Sequence, residues 1–332
     1  MLTPRQNMLE VIKNGNPDRF VKQYEAVKIF MTHPYFKEFP LNPAKPGDPM
    51  VQTGWGWYNA WPAGTPGGFP VHDAEHLLCP DVAEWEKYVK APDLKKYTEE
   101  DWAETIAEFN AVDRDEYLVA PMVAPGLFEM THYVLGMEEA MMAFYEEPEA
   151  MQDMINYFAD WMMEMAADFV KYLKPTAVFH HDDLGTQKST FINPEMFREF
   201  FLEPYQRLYG FYHDNGVEVV IHHNDSYSAP LVPTMIEMGI DVWQGAMSVN
   251  DLPKLVKEYG DKITFMGGID NGKVDRADWT MADIERETDQ LCRDCGKVGF
   301  IPCTTHGLNF AHFPGVYEAV DAEIDKMSKE MF

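Results

Sequence analysis

The stretch GVEVVIHHNDSYSAPLVPTMIEMGIDVWQG, residues 216–245, decides the fold. It opens on a β-branched run at 217–221 and breaks into the polar cluster His222-His223-Asn224-Asp225. A helical pattern follows at 229–238, and a second apolar run at 240–242 leads to Gln244. Apolar run, polar cluster, helix and apolar run in that order make a βα unit of a parallel sheet.

The same alternation extends on both sides. Runs at 117–123, 177–180, 263–266 and 299–301 predict further strands, and patterns at 148–173, 193–215, 250–258, 279–296 and 314–330 predict the helices between them. The segment NPEMFREFFLEPYQRLYGFYHDNG, 193–216, has an Asn cap, Pro and Glu in its first turn and a closing Asn-Gly, which marks both ends of a helix. Strands end on polar clusters: His180-His181-Asp182-Asp183, the 222–225 cluster, Gln244, Gly267-Gly268-Ile269-Asp270 and Cys303-Thr304-Thr305-His306. In a (β/α)8 TIM barrel those ends converge on one rim that carries the chemistry. The expected fold is therefore α/β, a (β/α)8 TIM barrel. It forms one domain over 1–332, with an N-terminal extension to about residue 110 covering part of the mouth.

Lys and Arg number 27 against 55 Asp and Glu, a net charge of −28 that repels nucleic-acid backbones and anionic lipid surfaces. No stretch approaches the roughly 20 apolar residues of a membrane helix, and residues 1–20 hold no signal-peptide core, so a cytoplasmic location is expected. Cys79, Cys292, Cys295 and Cys303 are too few and too scattered for a disulfide framework and read as thiols. The Cys292/Cys295 pair sits at a helix end with no second pair, which argues against a metal or redox role.

Several runs carry a family likeness. TPRQNMLEVIKNGNPDRF (3–20), DDLGTQKSTFINPEMFREFFLEPYQRL (182–208), the opening stretch, and YGDKITFMGGID (259–270) resemble the uroporphyrinogen decarboxylase superfamily. That resemblance implies a TIM barrel and two branches, haem-pathway decarboxylases and methyltransferases that exchange methyl groups with a separate corrinoid protein. The decarboxylases carry an arginine-rich segment for substrate carboxylates. Here that region reads MTHPYFKEFPLNPAKPGDP (31–49), with no arginine, which ranks decarboxylation second.

The resemblance also frames the metal question. Thiol-activating members bind zinc through His-x-Cys and a distant Cys; this chain has His222-His223-Asn224 and Cys303, half of that motif. Ether-cleaving members share a Glu-x14-Glu-x20-His pattern, and Asp270, Glu285 and His306 stand at those spacings. Three readings stay open: zinc on Asp270, Glu285 and His306; zinc on His222 and Cys303 with a carboxylate; and no metal.

Among single residues, Asp182 and Asp183 point to opposite faces of a strand, so one of them faces the mouth, where a desolvated carboxyl can donate a proton. His180 and His181 are rival donors. His222 is the leading catalytic candidate, His223 pointing the other way as a structural residue, and Asn224 with Asp225 closing the turn. Trp55, Trp57, Tyr58 and Trp61, beside a Gly/Pro loop at 62–70, read as a planar substrate wall or, equally, as a core plug. Asn224 and Gln244 are further substrate-binding candidates. The methionine-rich run 137–165 reads as packing.

The expected activity is transfer of a methyl group from a small methylated substrate, an aryl methyl ether among the candidates, to the cobalt of a partner corrinoid protein, the leaving oxygen being activated either by zinc as a Lewis acid or by Asp183 or a histidine as a general acid. A cofactor-independent decarboxylase and a non-catalytic binding barrel are the rivals. No nucleic acid or membrane partner is expected, and a homodimer is compatible with the sequence.

Overall fold

The computed structural model describes residues 1–38, 43, 45–65, 67–305 and 310–332. The strands are β1 (Val27–Phe30), β2 (Val51–Gln52), β3 (Tyr58–Ala60), β4 (Phe69–Pro70), β5 (Leu118–Val123), β6 (Ala177–His181), β7 (Val219–His223), β8 (Val242–Ala246), β9 (Thr264–Ile269) and β10 (Phe300–Thr304). Seven of them form one sheet in the order β1-β5-β6-β7-β8-β9-β10, parallel throughout. The remaining three, β2-β3-β4, form a small antiparallel sheet within the excursion between β1 and β5.

The helices are α1 (Pro4–Ile12), α2 (Trp85–Tyr88), α3 (Glu99–Ala111), α4 (Leu127–Leu135), α5 (Met137–Glu146) and α6 (Pro148–Tyr172). They continue as α7 (Pro194–Asp214), α8 (Val232–Met238), α9 (Leu252–Tyr259), α10 (Asn271–Val274), α11 (Met281–Cys295) and α12 (Val316–Met331). The cap on α7 is as expected from its sequence, with Asn193 Oδ1 accepting from Met196 N at 2.8 Å.

The parallel sheet curls around an inner core that includes Leu118, Ala120, Phe179, Ile221, Met266 and Ile301. Its outer face, with Val119, Val178, Val220, Trp243 and Phe265, packs into the much larger core shared with the helices. Both faces are buried, so the strands are apolar on both sides rather than alternating.

The fold is TIM-barrel-like, but it differs from the eightfold expectation. Among the described residues no eighth strand joins β10 to β1. At that side Met8, Val11 and Val21 belong to the inner core, and Gly299 N donates to Val11 O at 3.0 Å. The chain between α1 and β1 is broken by Gly15 and Pro17, so apolar side chains rather than a strand ladder cover the core there. The excursion rests on the helices that follow β5. Trp55 packs edge-on against Phe158 and Trp161 of α6, Trp57 against Tyr133 of α4, and Cys79 N donates to Val134 O at 2.9 Å.

Candidate functional site

The site follows from strand parity. On β7, Val219 and Ile221 point into the inner core and Val220 out, so His223 points in and His222 out. On β6, Ala177 and Phe179 point in, which places His181 inside and His180 outside. His181 and His223 are register partners, and their rings stack with centroids 4.6 Å apart at 26°. Beyond the end of β6, Asp183 turns its carboxylate toward both rings, with Oδ2 3.9 Å from His181 Nε2 and Oδ1 4.0 Å from His223 Nε2. One ligand atom from each of the three lies within 4.8 Å of the others.

Each ring is held from behind. His181 Nδ1 donates to Glu129 Oε2 at 2.9 Å, and His223 Nδ1 donates to Gln244 Oε1 on the neighbouring strand. With Nδ1 engaged from behind, Nε2 of each ring points toward Asp183, the orientation in which metal-binding histidines offer Nε2 once a cation replaces its proton. Behind His223, Gly245 has φ +85, and a Cβ there would lie 3.0 Å from His223 Cε1. Glycine at that position suits both the left-handed backbone and the close approach of the ring.

Glu129 is in place because α4 is anchored to the same strand end. Asp182, buried and pointing away from the inner core, accepts from Phe128 N at 3.1 Å, Glu129 N at 2.9 Å and Tyr205 OH at 2.5 Å. Tyr205 OH also accepts from Leu127 N at 2.9 Å, so the first turn of α4 is satisfied by side chains. Gly126 makes this approach feasible, since a Cβ there would sit 2.3 Å from that of Asp182.

Electrostatics sort the groups. Burial alone would lower the His181 pKa, but Glu129 and Asp183 outweigh it and push it up to about 10. Burial raises Asp183, yet the His181 and His223 charges and the Asp225 N–H hold it below the usual carboxylate value. Asp182 is pushed up by burial and by Glu129, and Asp225 by burial and by Asp183. Half-buried His132 on α4 is lowered to about 3 by burial and by His72, against Asp183. Buried titratable groups with opposed shifts, gathered at the strand ends of a barrel-like sheet, mark this cluster as the candidate site.

The expected residues are placed as follows. His222 and His180 lie in the sheet–helix layer, reversing the parity expected for His222 and His223. His222 Nδ1 is 2.9 Å from Tyr209 OH, and His180 packs edge-on against Tyr205 and Tyr209 with neither ring nitrogen hydrogen-bonded among the described residues. Asp183 is inside, as expected for one of the Asp pair, with Oδ1 accepting from Asp225 N at 3.1 Å and its pKa held down by His181 and His223 against the effect of burial.

Asn224 is tied into the turn, accepting from Leu184 N at 3.1 Å and donating to Ser228 Oγ at 2.7 Å, whereas Gln244 faces the cluster. Of the Asp270, Glu285 and His306 set, His306 lies outside the described residues. Asp270 caps α10 through Gly272 N and accepts from Ser248 Oγ, while Glu285 is exposed on α11. Cys303 points into the inner core, where its thiol is raised by burial and its electrostatic neighbours are Asp321, Tyr24 and Tyr317. Among the described residues, the pairing of His222 with Cys303 is therefore not formed. Trp55 and Trp57 are buried in the plug over α6 and α4, and Tyr58 and Trp61 are half-buried, Trp61 Nε1 donating to Thr65 O.

Glu129, His132, Tyr133 and His72 escaped the sequence reading. They come from α4 and the excursion, elements that no strand-end cluster marks. The one available signal was the Glu at the third position of a helix that starts at Gly126 after β5.

A curled parallel sheet with its polar cluster gathered at the C-terminal strand ends defines the TIM-barrel-like enzyme class. The chain belongs to the uroporphyrinogen decarboxylase (URO-D) family, whose model matches residues 77–324. Its fold is shared with a methyltransferase from Methanosarcina mazei, at TM-score 0.70 and 12% identity over 98% of this chain and 99% of that one. A putative vitamin-B12 independent methionine synthase from Listeria monocytogenes aligns over 69% of each chain at TM-score 0.41 and 12% identity, too distant to weigh. No curated protein matches the sequence significantly. No helix of the described residues is long and apolar enough to cross a membrane.

Proposed function

We propose that the chain is a methyltransferase that takes a methyl group from a small methylated substrate, first among them an aryl methyl ether, and passes it to the cobalt(I) of a partner corrinoid protein. The observation that carries this reading is the convergence of His181 Nε2, His223 Nε2 and an Asp183 oxygen at the strand ends. Two nitrogen donors and one oxygen donor, with the far side of each ring engaged, suit zinc with an open coordination position. The surroundings that keep a proton on His181 would accept a divalent cation in its place. Zinc bound there supplies Lewis acidity to a leaving oxygen.

The chain's own groups would do the rest. His181 and His223 grip through Nε2, and Gln244 keeps His223 in its tautomer. Asp225, the residue whose N–H holds the Asp183 carboxylate and whose own carboxyl is raised by burial and by Asp183, is a candidate to supply a proton to the departing oxygen. The fold shared with the Methanosarcina methyltransferase supports this branch over the decarboxylases. So does the placement of the arginines. Arg5, Arg19, Arg198, Arg207, Arg276, Arg286 and Arg293 pair with carboxylates elsewhere, and Arg114 with backbone carbonyls of Leu173 and Lys174. A polycarboxylate substrate would meet carboxylates at this mouth and no guanidinium.

The test is spectroscopic. Zinc-loaded protein, a cobalt(I) corrinoid protein and a panel of methoxyaromatics, methanol and methylamines should yield methylcobalt. A panel that yields none, together with carbon dioxide release from a carboxylated substrate, would replace this reading with decarboxylation.

A further inference from the structure

The two inward histidines are not equivalent, and the difference lies behind them. His223 is held by a neutral amide, Gln244, one strand away. His181 is held by a carboxylate, Glu129, from a helix 52 residues earlier in the chain. Glu129 is buried, and each of its oxygens has work. Oε2 accepts from His181 Nδ1 at 2.9 Å and from Gly126 N at 3.3 Å, and Oε1 lies 3.4 Å from Tyr133 OH.

The strand and the helix hold each other. Asp182, the residue after His181, fixes the N-terminus of α4 through Phe128 N and Glu129 N, and α4 returns the Glu129 side chain to His181. A carboxylate placed so strictly on a ring nitrogen does more than pack. It selects the Nδ1–H tautomer, fixes the ring plane and makes Nε2 a stronger donor.

We propose that Glu129 is the positioning residue of the centre: it orients His181 Nε2 toward Asp183 and strengthens its grip on a divalent cation. This rests on the metal reading above, so the experiment separates the two. Wild type, Glu129→Gln and Glu129→Ala are compared in two measurements. Zinc affinity is read by competition with a chromophoric chelator, and ring-nitrogen NMR of the metal-free protein reports the state of His181 Nδ1. Far-UV circular dichroism and thermal melting establish that each variant is folded.

Expected are an Nδ1–H of His181 in the wild type, whose hydrogen bond is lost in Glu129→Ala, and a zinc affinity roughly 10- to 100-fold weaker in that variant. Glu129→Gln, which keeps an acceptor for both Nδ1–H and Gly126 N, should fall between. Folded Glu129→Ala that binds zinc as tightly as the wild type overturns the proposal, and so does a His181 whose Nδ1 signal is the same with and without the carboxylate. A wild type that takes up no zinc sinks the metal reading instead, and the NMR comparison then decides the positioning claim alone.

Discussion

The rings of His181 and His223 lie 4.6 Å apart at an angle of 26° on paired positions of β6 and β7, and the Asp183 carboxylate faces both Nε2 atoms. Two imidazolium ions at that spacing would repel each other. The arrangement is satisfied by one cation shared between two neutral rings and a carboxylate.

About one zinc ion per chain is therefore expected in wild-type protein, and none in His223→Ala or in the double variant His181→Ala/His223→Ala. Asp183→Asn should weaken binding without abolishing it. Metal analysis after gel filtration in chelator-free buffer checks this. Undiminished zinc in His223→Ala would mean that the ion sits elsewhere.

Gly126→Ala tests the anchoring of α4. The added Cβ would lie 2.3 Å from the Asp182 Cβ, between backbone and a buried side chain that cannot swing away. A loss of about 1 to 3 kcal/mol is expected, the range for overpacking a tight contact. The urea unfolding midpoint measures it, and an unchanged midpoint would show that Asp182 does not hold the helix as tightly as described.

How far the sequence reaches is visible at residues 222 and 223. The runs located the starts of β5 to β10 within a residue or two, because apolar strands between helical patterns have few other readings, but β8, β9 and β10 run three or four residues further into their polar clusters than the apolar runs alone marked. Which histidine faces inward was not legible: β7 is buried on both sides, so no polar alternation in the run marks a face, and a parity error of one exchanges the two rings. The short β1, four residues VKIF inside a polar region, gave no periodic signal. Glu129 was hidden for another reason, since its contact with His181 is made by tertiary packing of a helix and not by any motif. The Asp270 and Glu285 spacing shows the converse. Positions that match a pattern along the chain put Glu285 on the exposed side of α11.

Acid should loosen the fold at a point outside the cluster. His33 is buried, donates from Nε2 to Met122 O at 2.8 Å, and packs against Phe169. Burial lowers its pKa to about 4, the Met122 carbonyl opposing only in part. In the unfolded chain it protonates near the ordinary histidine value of about 6.5. The stability that depends on neutral His33 is thus complete above about pH 6.5 and is lost as pH falls toward 4, by about 3 kcal/mol in all. His33→Gln, which retains a donor for Met122 O, should reduce the drop in unfolding midpoint between pH 7 and pH 4.5. An equal drop in both proteins would assign the acid sensitivity to other groups.

The most direct measurement is turnover in His222→Ala and His223→Ala, neighbouring residues on one strand that the fold sends to opposite sides. Methylcobalt formation is followed from the corrinoid spectrum, at a temperature where circular dichroism shows both variants folded. His222→Ala should melt earlier, because Tyr209 loses its partner and the helix layer its packing at a cost of about 1 to 3 kcal/mol, yet it should keep turning over. His223→Ala leaves Gln244 without its partner and should also melt earlier, at a similar cost of about 1 to 3 kcal/mol, but it should lose about 10²-fold or more of its rate while folded. The reverse pattern, a folded His222→Ala without activity beside an active His223→Ala, would contradict the site described.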